Sequence, residues 1–305
     1  MKILITGSRG FVGASFGCLA SAAGHEVLGI SRSSQPEPGW PGRHLQGDAA
    51  QADLAPIIRD FKPDLLLQAA GSASVGASIA DPVGDFRATA VTLTNVLDGV
   101  RRSGCEPLIV FPSSAAVYGN PASLPVAEDA LCEPISPYGF HKAACELIAR
   151  EYSQCFGLTT VVCRIFSLFG SRQRRLLAWE IYSQLVSAAD AVQLQGTGTE
   201  TRDFLHIDDL SRAILLLTKT VPRRHCTILN MASGSETTVL TLAETIRSMT
   251  APGKKITCKG IARAGDPHRW CADVRRLRAL IPEWNPQGLS TALDSTIRQW
   301  NSPRP

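Results

Sequence analysis

The stretch Ile3-Leu4-Ile5-Thr6-Gly7-Ser8-Arg9-Gly10-Phe11-Val12-Gly13 decides the fold. Its first four residues predict a short buried strand, and the Ala-rich segment that follows, to about Ala23, predicts a helix. The three glycines between them let the backbone turn tightly and come close to a pyrophosphate held at the positive end of that helix. A Gly-x-x-Gly-x-x-Gly run alone also occurs in turns that bind nothing. Placed after a strand and before a helix, it is a dinucleotide signal. Gly7, Gly10, Phe11, Val12 and Gly13 are therefore expected at a dinucleotide.

Working outward, Glu26 to Ile30 predicts a second strand, and Ser31-Arg32-Ser33-Ser34 closes it. An acid at this place would grip the ribose 2′-hydroxyl of NAD; none is present. Arg32 among serines suits a 2′-phosphate instead, so NADP(H) is the expected cofactor and NAD(H) the alternative. Residues 35 to 45, rich in Pro and Gly, predict a loop, and Asp48 offers a carboxylate to the adenine amine. Asp53 to Phe61 predicts a helix and Asp64 to Gln68 a buried strand. Ala69-Ala70-Gly71 then supplies small side chains where a cofactor backbone would pass. Residues 72 to 78 form a polar loop from which Ser74 could reach substrate, and a long helix is expected from about Asp85 to Ser103. Leu108 to Phe111 and Thr159 to Arg164 are further strands. Strands alternating with helices indicate an α/β doubly wound parallel sheet of the Rossmann type. It is expected to span residues 1–165, with later segments returning to it, and residues 166–305 to form mainly a smaller α/β substrate lobe.

A third cluster carries chemistry. Tyr138 and Lys142, four apart, lie one turn from each other on a helix, where an ammonium favours the phenolate. Ser114 follows the strand Leu108 to Phe111, so its hydroxyl is expected at a carboxyl-end strand edge, where open α/β sheets place their ligands. A hydroxyl donor, a phenol and an ammonium suit proton transfer at a carbinol oxygen while hydride moves at carbon.

Composition narrows the classes. The chain has 305 residues, 44% hydrophobic and 19% charged, with a net charge of +4, which gives no footprint for nucleic acid. Nine cysteines without a C-x-x-C pair argue against a disulfide framework or a metal site, and for a reducing compartment, the cytoplasm. No stretch approaches the roughly 20 apolar residues of a membrane span. Further along, Asp208-Asp209 are expected to cap a helix running to Leu217, and His206 to be structural. Arg202 and Arg263 are candidate anion clamps.

With these residues in view, the chain resembles the extended short-chain dehydrogenase/reductases, specifically the nucleotide-sugar epimerases, dehydratases and 4-keto reductases. The resemblance rests on Gly7/Gly10/Gly13, Ser113-Ser114-Ala115-Ala116-Val117-Tyr118-Gly119, Ser136-Pro137-Tyr138 through Lys142, Gly198 with Arg202-Asp203-Phe204, and Gly265-Asp266 before Trp270. It implies Tyr138 as acid/base, Lys142 as its pKa-lowering partner and ribose contact, and Ser114 as donor to the sugar C4 oxygen. Arg202 and Arg263 would hold the diphosphate of a nucleotide-diphosphate sugar, Ser167 would touch substrate, and Ser113 and Phe166 complete the expected cofactor set. The family also suggests a homodimer through the helix bearing Tyr138 and the one before it. Several positions depart from the family pattern. Ala115-Ala116 stand where 4,6-dehydratases carry acids, and alanine cannot transfer protons. The cysteine of the 3,5-epimerase-reductases is absent from the same segment. Ser167, Gln68 and Thr89 replace an Asn, a His and an Asn. C4 chemistry remains: an NADPH-dependent 4-keto-6-deoxy sugar-nucleotide reductase is expected from Arg32, with an NAD-dependent UDP-sugar 4-epimerase as the alternative. A non-catalytic dinucleotide sensor is a third reading, which the complete Ser/Tyr/Lys set disfavours.

Overall fold

Apolar runs too short for helices and flanked by amphipathic segments become strands buried on both faces, as parallel sheets require. The computed structural model describes residues 1–187, 191–260 and 268–302. Its strands are β1 (Lys2–Thr6), β2 (Glu26–Ser31), β3 (Arg43–Gln46), β4 (Leu65–Gln68), β5 (Leu108–Ser114), β6 (Thr159–Ile165), β7 (Ser167–Phe169), β8 (Ala191–Leu194), β9 (Thr201–His206), β10 (Cys226–Met231), β11 (Glu236–Thr238) and β12 (Lys255–Cys258). Seven of them form one sheet in the order β3-β2-β1-β4-β5-β6-β10, with every pairing parallel. Strand order reverses between β1 and β4, which opens a crevice above the carboxyl ends of both.

Each face of this sheet carries its own core. On one, Ile3, Ile5, Leu65 and Val110 pack against Phe16, Leu210, Ile214 and Leu277, from the helices Phe11–Ala22, Ile207–Leu217 and Arg275–Leu280. On the other, Leu4, Leu66 and Ile109 meet Ile58, Leu97 and Cys145, from Leu54–Phe61, Thr92–Ser103 and Pro137–Phe156. A third core lies beyond the sheet. The helices Leu176–Val186, Val239–Thr250 and Leu289–Asn301 enclose it with β8 and β9, around Phe169, Ile181, Leu242 and Trp300. Two small sheets, β11-β9-β7 and β12-β8, belong to this region. Residues after 165 therefore divide, because β10 and the helix Ile207–Leu217 return to the large sheet.

Four local expectations change. The loop expected over residues 35 to 45 ends in β3, an edge strand whose alternation is too short to read from sequence. The polar loop from residue 72 contains a helical turn, Val75–Ala80. The long helix starts at Pro82, not Asp85, and passes through a π-helical stretch, Arg87–Val91, before Thr92–Ser103. Such wide turns tend to mark functional sites. Finally, the cap of Ile207–Leu217 is His206, whose Nδ1 accepts the Asp208 N–H at 3.2 Å; Asp208 and Asp209 lie in the first turn instead.

Candidate functional site

The glycine loop fits against the crevice because nothing larger would fit. Gly7 has φ +71°, and a Cβ there would stand 2.5 Å from the Ala70 nitrogen and 2.6 Å from the Ala69 carbonyl carbon. A Cβ on Gly13 would meet the Gly7 oxygen at 2.4 Å. The first helical turn thus seats directly on the loop, with its N-terminal amides facing the crevice and no side-chain cap at Gly10. A cleft of about 820 Å³ opens there. Of the residues expected at the cofactor, Gly7, Gly10, Ser31, Arg32, Asp48, Ala69, Ala70 and Gly71 line it. Phe11 and Val12 pack against the core beneath it. Size, the backbone cradle and the unclaimed helix terminus all suit a dinucleotide, and these residues would hold one.

The cleft wall also shows what each expected side chain does. Asp48 caps its own turn by accepting the Ala50 N–H at 3.0 Å. Gln68 donates to the Ala70 carbonyl at 2.8 Å, and Thr89 accepts the Ser72 N–H at 3.4 Å, so both brace the wall. Arg32 is exposed at the rim. Opposite it stands a residue that sequence reading missed: Arg9, from the glycine loop, donates to Ser33 Oγ at 2.5 Å and lies 3.5 Å from Glu37. Burial, together with the charge of Arg9, lowers the pKa of His44, whose Nε2 pairs with Ser31 Oγ at 2.9 Å. Arg9, Arg32, Ser31, Ser33 and His44 thus gather around the carboxyl end of β2. The signal in the sequence was a cation inside the glycine run. Arg87, also on the cleft wall, is a second missed cation.

At the end of β5, Ser114 caps the 3₁₀ turn Ala115–Tyr118, its Oγ accepting the Ala116 N–H at 3.1 Å. Tyr138 is the second residue of the helix Pro137–Phe156, which starts at a Ser136 cap and a Pro at its first position. Gly139 brings the two elements together: a Cβ there would sit 2.7 Å from the Ala116 oxygen, so only glycine allows this approach. Ser78 Oγ accepts the Tyr138 N–H at 3.0 Å and fixes the helix start. Lys142 is buried, donates to the Pro112 carbonyl at 2.7 Å, and lies 5.6 Å from the Tyr138 ring centre. Burial pushes the Tyr138 hydroxyl up to about 12; Ser114 draws it back, while Asp85 and Cys145 add to the rise. Burial lowers Lys142 to about 8, against the opposing pull of Cys145, Asp85 and Glu146. In the protein itself burial thus dominates at both groups, raising the phenol and lowering the ammonium.

Ser113 differs from its expected role. Its hydroxyl points away from the cleft and donates to Glu146 Oε1 at 2.6 Å. Glu146 in turn holds the buried Arg164 through Nε and Nη2, at 3.1 and 2.7 Å, and Arg164 Nη1 reaches the Tyr118 hydroxyl and the Glu128 carbonyl, each at 2.9 Å. Alternation along β5 explains this, since adjacent residues face opposite sides of a strand. Phe166 packs between Tyr118 and Trp270. Arg202 is buried on β9, with Nη1 on the Thr201 carbonyl at 2.7 Å and its guanidinium 5.6 Å from the Trp270 ring centre. Next to it, Asp203 accepts from Ser233, Gly234 and Ala272 and pins these loops to β9. Ser167 opens β7, half-buried. Ser74 caps Val75–Ala80, its Oγ accepting the Ala77 N–H at 3.2 Å. Arg263 and Asp266 lie outside the described residues.

A parallel doubly wound sheet, a glycine loop at its switch point, and a serine, tyrosine and lysine converging at the end of β5 define an extended short-chain dehydrogenase/reductase. The chain belongs to the NAD dependent epimerase/dehydratase family, whose family model matches residues 3–232. It is similar to a UDP-glucose 4-epimerase of Mycolicibacterium smegmatis, 27% identical over 97% of both chains. It is also similar to one of Streptomyces lividans, 28% identical over 100% of this chain and 97% of that one. Among solved structures, MoeE5 in complex with UDP-glucuronic acid and NAD superposes with a TM-score of 0.86 at 26% identity, over 98% of both chains. The UDP-glucose 4-epimerase of Thermus thermophilus in complex with NAD gives 0.86 at 25% identity, over 98% of this chain and 99% of that one. The chain is an enzyme of this family and takes a nicotinamide dinucleotide.

Proposed function

We propose that this enzyme inverts C4 of a UDP-hexose. The observation that carries the reading is end-to-end similarity to UDP-glucose 4-epimerases in a chain that keeps Ser114, Tyr138 and Lys142 and has alanines, Ala115 and Ala116, where a dehydratase needs acids. It moves the balance away from the net reduction expected from Arg32 alone. A bound dinucleotide would supply the acceptor, and then the source, of a hydride. The chain's own residues do the rest. Ser114 hydrogen-bonds and orients the C4 oxygen, and Tyr138, in its phenolate form, takes the C4 hydroxyl proton as C4 is oxidised. Tyr138 returns that proton when the keto sugar has presented its other face. Lys142, cationic at neutral pH, offsets the charge that builds on the phenol. Arg202 and Arg263 are assigned to the diphosphate, and Ser74 and Ser167 to the edge of the sugar pocket. Interconversion of UDP-glucose and UDP-galactose, followed by chromatography without added cofactor, is the test. No interconversion of either sugar by correctly folded, dinucleotide-loaded enzyme would refute the reading.

One observation favours a second reading. The cluster of Arg9, Arg32 and Ser33 suits a 2′-phosphate, hence NADP(H) and net reduction of a 4-keto-6-deoxy sugar nucleotide. Stoichiometric consumption of NADPH with such a substrate distinguishes the two. Homodimer assembly belongs to the same proposal. The helices Val75–Ala80, Pro82–Phe86 and Pro137–Phe156 expose Ile79, Val83, Phe86, Phe140 and Leu147, of which Phe140 and Leu147 are two turns apart on one helix face. Light scattering should give twice the chain mass, and Leu147→Lys should halve it. Nine unpaired thiols support a reducing, cytoplasmic setting. No helix among the described residues is long and apolar enough to cross a membrane.

A further inference from the structure

The cation of the glycine loop carries a carboxylate that the proposed chemistry leaves unused. Arg9 lines the dinucleotide cleft with Arg32 and Ser33; Glu37 is not among the described residues on its wall. Glu37 meets Arg9 from outside, its Oε2 3.5 Å from Arg9 Nε, while Arg9 Nη1 donates to Ser33 Oγ at 2.5 Å. The two side chains are 40% and 30% exposed, so the pair adds little to stability. Its position is nevertheless built. The Trp40 N–H donates to the Glu37 carbonyl at 2.9 Å. Trp40 is itself keyed into the core: a Cβ on Gly17 or Gly29 would stand 2.4 or 2.6 Å from its ring, and its Nε1 donates to the Arg43 carbonyl at 3.1 Å. The neighbouring Pro38 carbonyl accepts from Arg172 Nη1 at 3.4 Å, and Arg172 Nη2 lies 3.2 Å from Cys18 Sγ on the helix Phe11–Ala22. Before Glu37, Ser33 Oγ accepts the Gln35 N–H at 3.2 Å. The loop is thus tied on both sides of Glu37, and its carboxylate stays near Arg9.

We propose that Glu37 is a specificity-determining residue that turns the enzyme away from NADP by setting a fixed negative charge on the cation a 2′-phosphate needs. The inference rests on the reading that Arg9 faces the adenosine ribose, and deepens it. A 2′-phosphate brought to Arg9, Arg32 and Ser33 meets two guanidinium groups and a hydroxyl, which favour it. It also meets the carboxylate beside Arg9, which must give up its partner or share it with a second anion. The 2′-hydroxyl of NAD is neutral and meets no such opposition. Discrimination of this kind works by disfavouring the wrong dinucleotide rather than by gripping the right one. Asp48, the carboxylate on the cleft wall, is turned to its own backbone at Ala50 and is not in contact with Arg9. A carboxylate on a free loop would swing away from an arriving phosphate at little cost. Glu37 cannot do so, because Trp40 and Arg172 hold the chain on which it stands. A cleft with Arg9 and Arg32 at its rim is in this way compatible with NAD-dependent epimerisation.

Affinities for NADPH and NADH, read by fluorescence titration of the full chain, test it. Glu37→Gln keeps the size of the side chain and removes its charge. At low ionic strength it should tighten NADPH about 5-fold, the reach of one partly exposed ion pair, and leave NADH within about 2-fold. Glu37→Ala carries the same expectation, since the charge and not the side chain is at issue. In about 0.5 M salt the ratio of variant to wild type should approach one, because exposed charges are screened there. An unchanged NADPH affinity in folded Glu37→Gln, where Arg9→Ala still weakens NADPH alone, overturns the proposal and leaves the ribose reading standing. A loss of NADH affinity in Glu37→Gln overturns it too, because the carboxylate would then be a ligand of the ribose hydroxyl. If Arg9→Ala weakens NADPH and NADH alike, the placement of Arg9 at the ribose fails, and the proposal with it.

Discussion

Removing Glu146 should destabilise the protein strongly, by an amount that can be worked from its contacts. Glu146 accepts a bifurcated hydrogen bond from the Arg164 Nε–H, one from Nη2 and one from Ser113 Oγ. The side chains of the ion pair are 5% and 6% exposed, so water cannot replace what is lost. Glu146→Leu leaves a buried guanidinium holding only the Tyr118 hydroxyl and the Glu128 carbonyl, and costs about 3–5 kcal/mol. Stranding the Ser113 hydroxyl adds about 1 kcal/mol or more. The double variant Glu146→Leu with Arg164→Met removes both charges and puts hydrocarbon in their place, and should recover about 2 kcal/mol or more of that loss. Urea denaturation followed by fluorescence and by circular dichroism supplies the numbers, with coincident transitions as the check on two-state behaviour. A single variant that costs less than about 1 kcal/mol, or a double variant whose loss equals the sum of the two singles, would refute the reasoning.

The same geometry sets further expectations. Tyr138→Phe should lower turnover about 10²–10⁴-fold while dinucleotide affinity, read by fluorescence titration, stays within a few-fold. Arg9→Ala and Arg32→Ala should each weaken NADPH about 10-fold or more and leave NADH nearly unchanged, since a charge-assisted hydrogen bond contributes about 1.5–3 kcal/mol; equal effects on both dinucleotides would remove the 2′-phosphate site. Gly139→Ala forces its methyl against the Ala116 carbonyl, so both thermal stability and turnover should fall, the latter through separation of Tyr138 from Ser114. His206 is held neutral: burial lowers its pKa, and its Nδ1 already accepts an N–H. A depressed imidazole means that the unfolded chain takes up the proton first, so stability should be full above about pH 6.5 and decline as pH falls below it. His206→Asn, which still caps the helix, should flatten that decline in a series of melting curves.

Legibility in the sequence followed the range of the forces involved. The glycine loop, the strands Leu65–Gln68 and Leu108–Ser114 and the Tyr138/Lys142 turn are local patterns, and each occupies its expected place. Strand β3 was hidden because Arg43-His44-Leu45-Gln46 has one apolar residue and owes its form to pairing with β2. Strands β7 and β11, three residues each, are held by β9 and carry too little pattern of their own. Ser113 looked like its neighbour Ser114; strand alternation turns the two to opposite sides, and the Glu146 that receives Ser113 stands on another element. The cation cluster escaped for the same reason. Arg9 and Ser33 stand 24 residues apart, and it is the adjacency of β1 and β2 that brings them together. Asp85 and His141, 56 residues apart, are joined by the packing of two helices whose contact no local period announces.

The path of the chain between its two regions has a consequence for how such an enzyme diversifies. It leaves the large sheet after β6, comes back through Ile207–Leu217 and β10, leaves again at β11, and returns once more at Arg275–Leu280 before ending on Leu289–Asn301. A polypeptide stitched this way offers no single pair of cut points at which the smaller region could be lifted out and exchanged for another. Exchange of the smaller region as one cassette, open to proteins whose lobes are consecutive in sequence, would here cut the chain at several places at once.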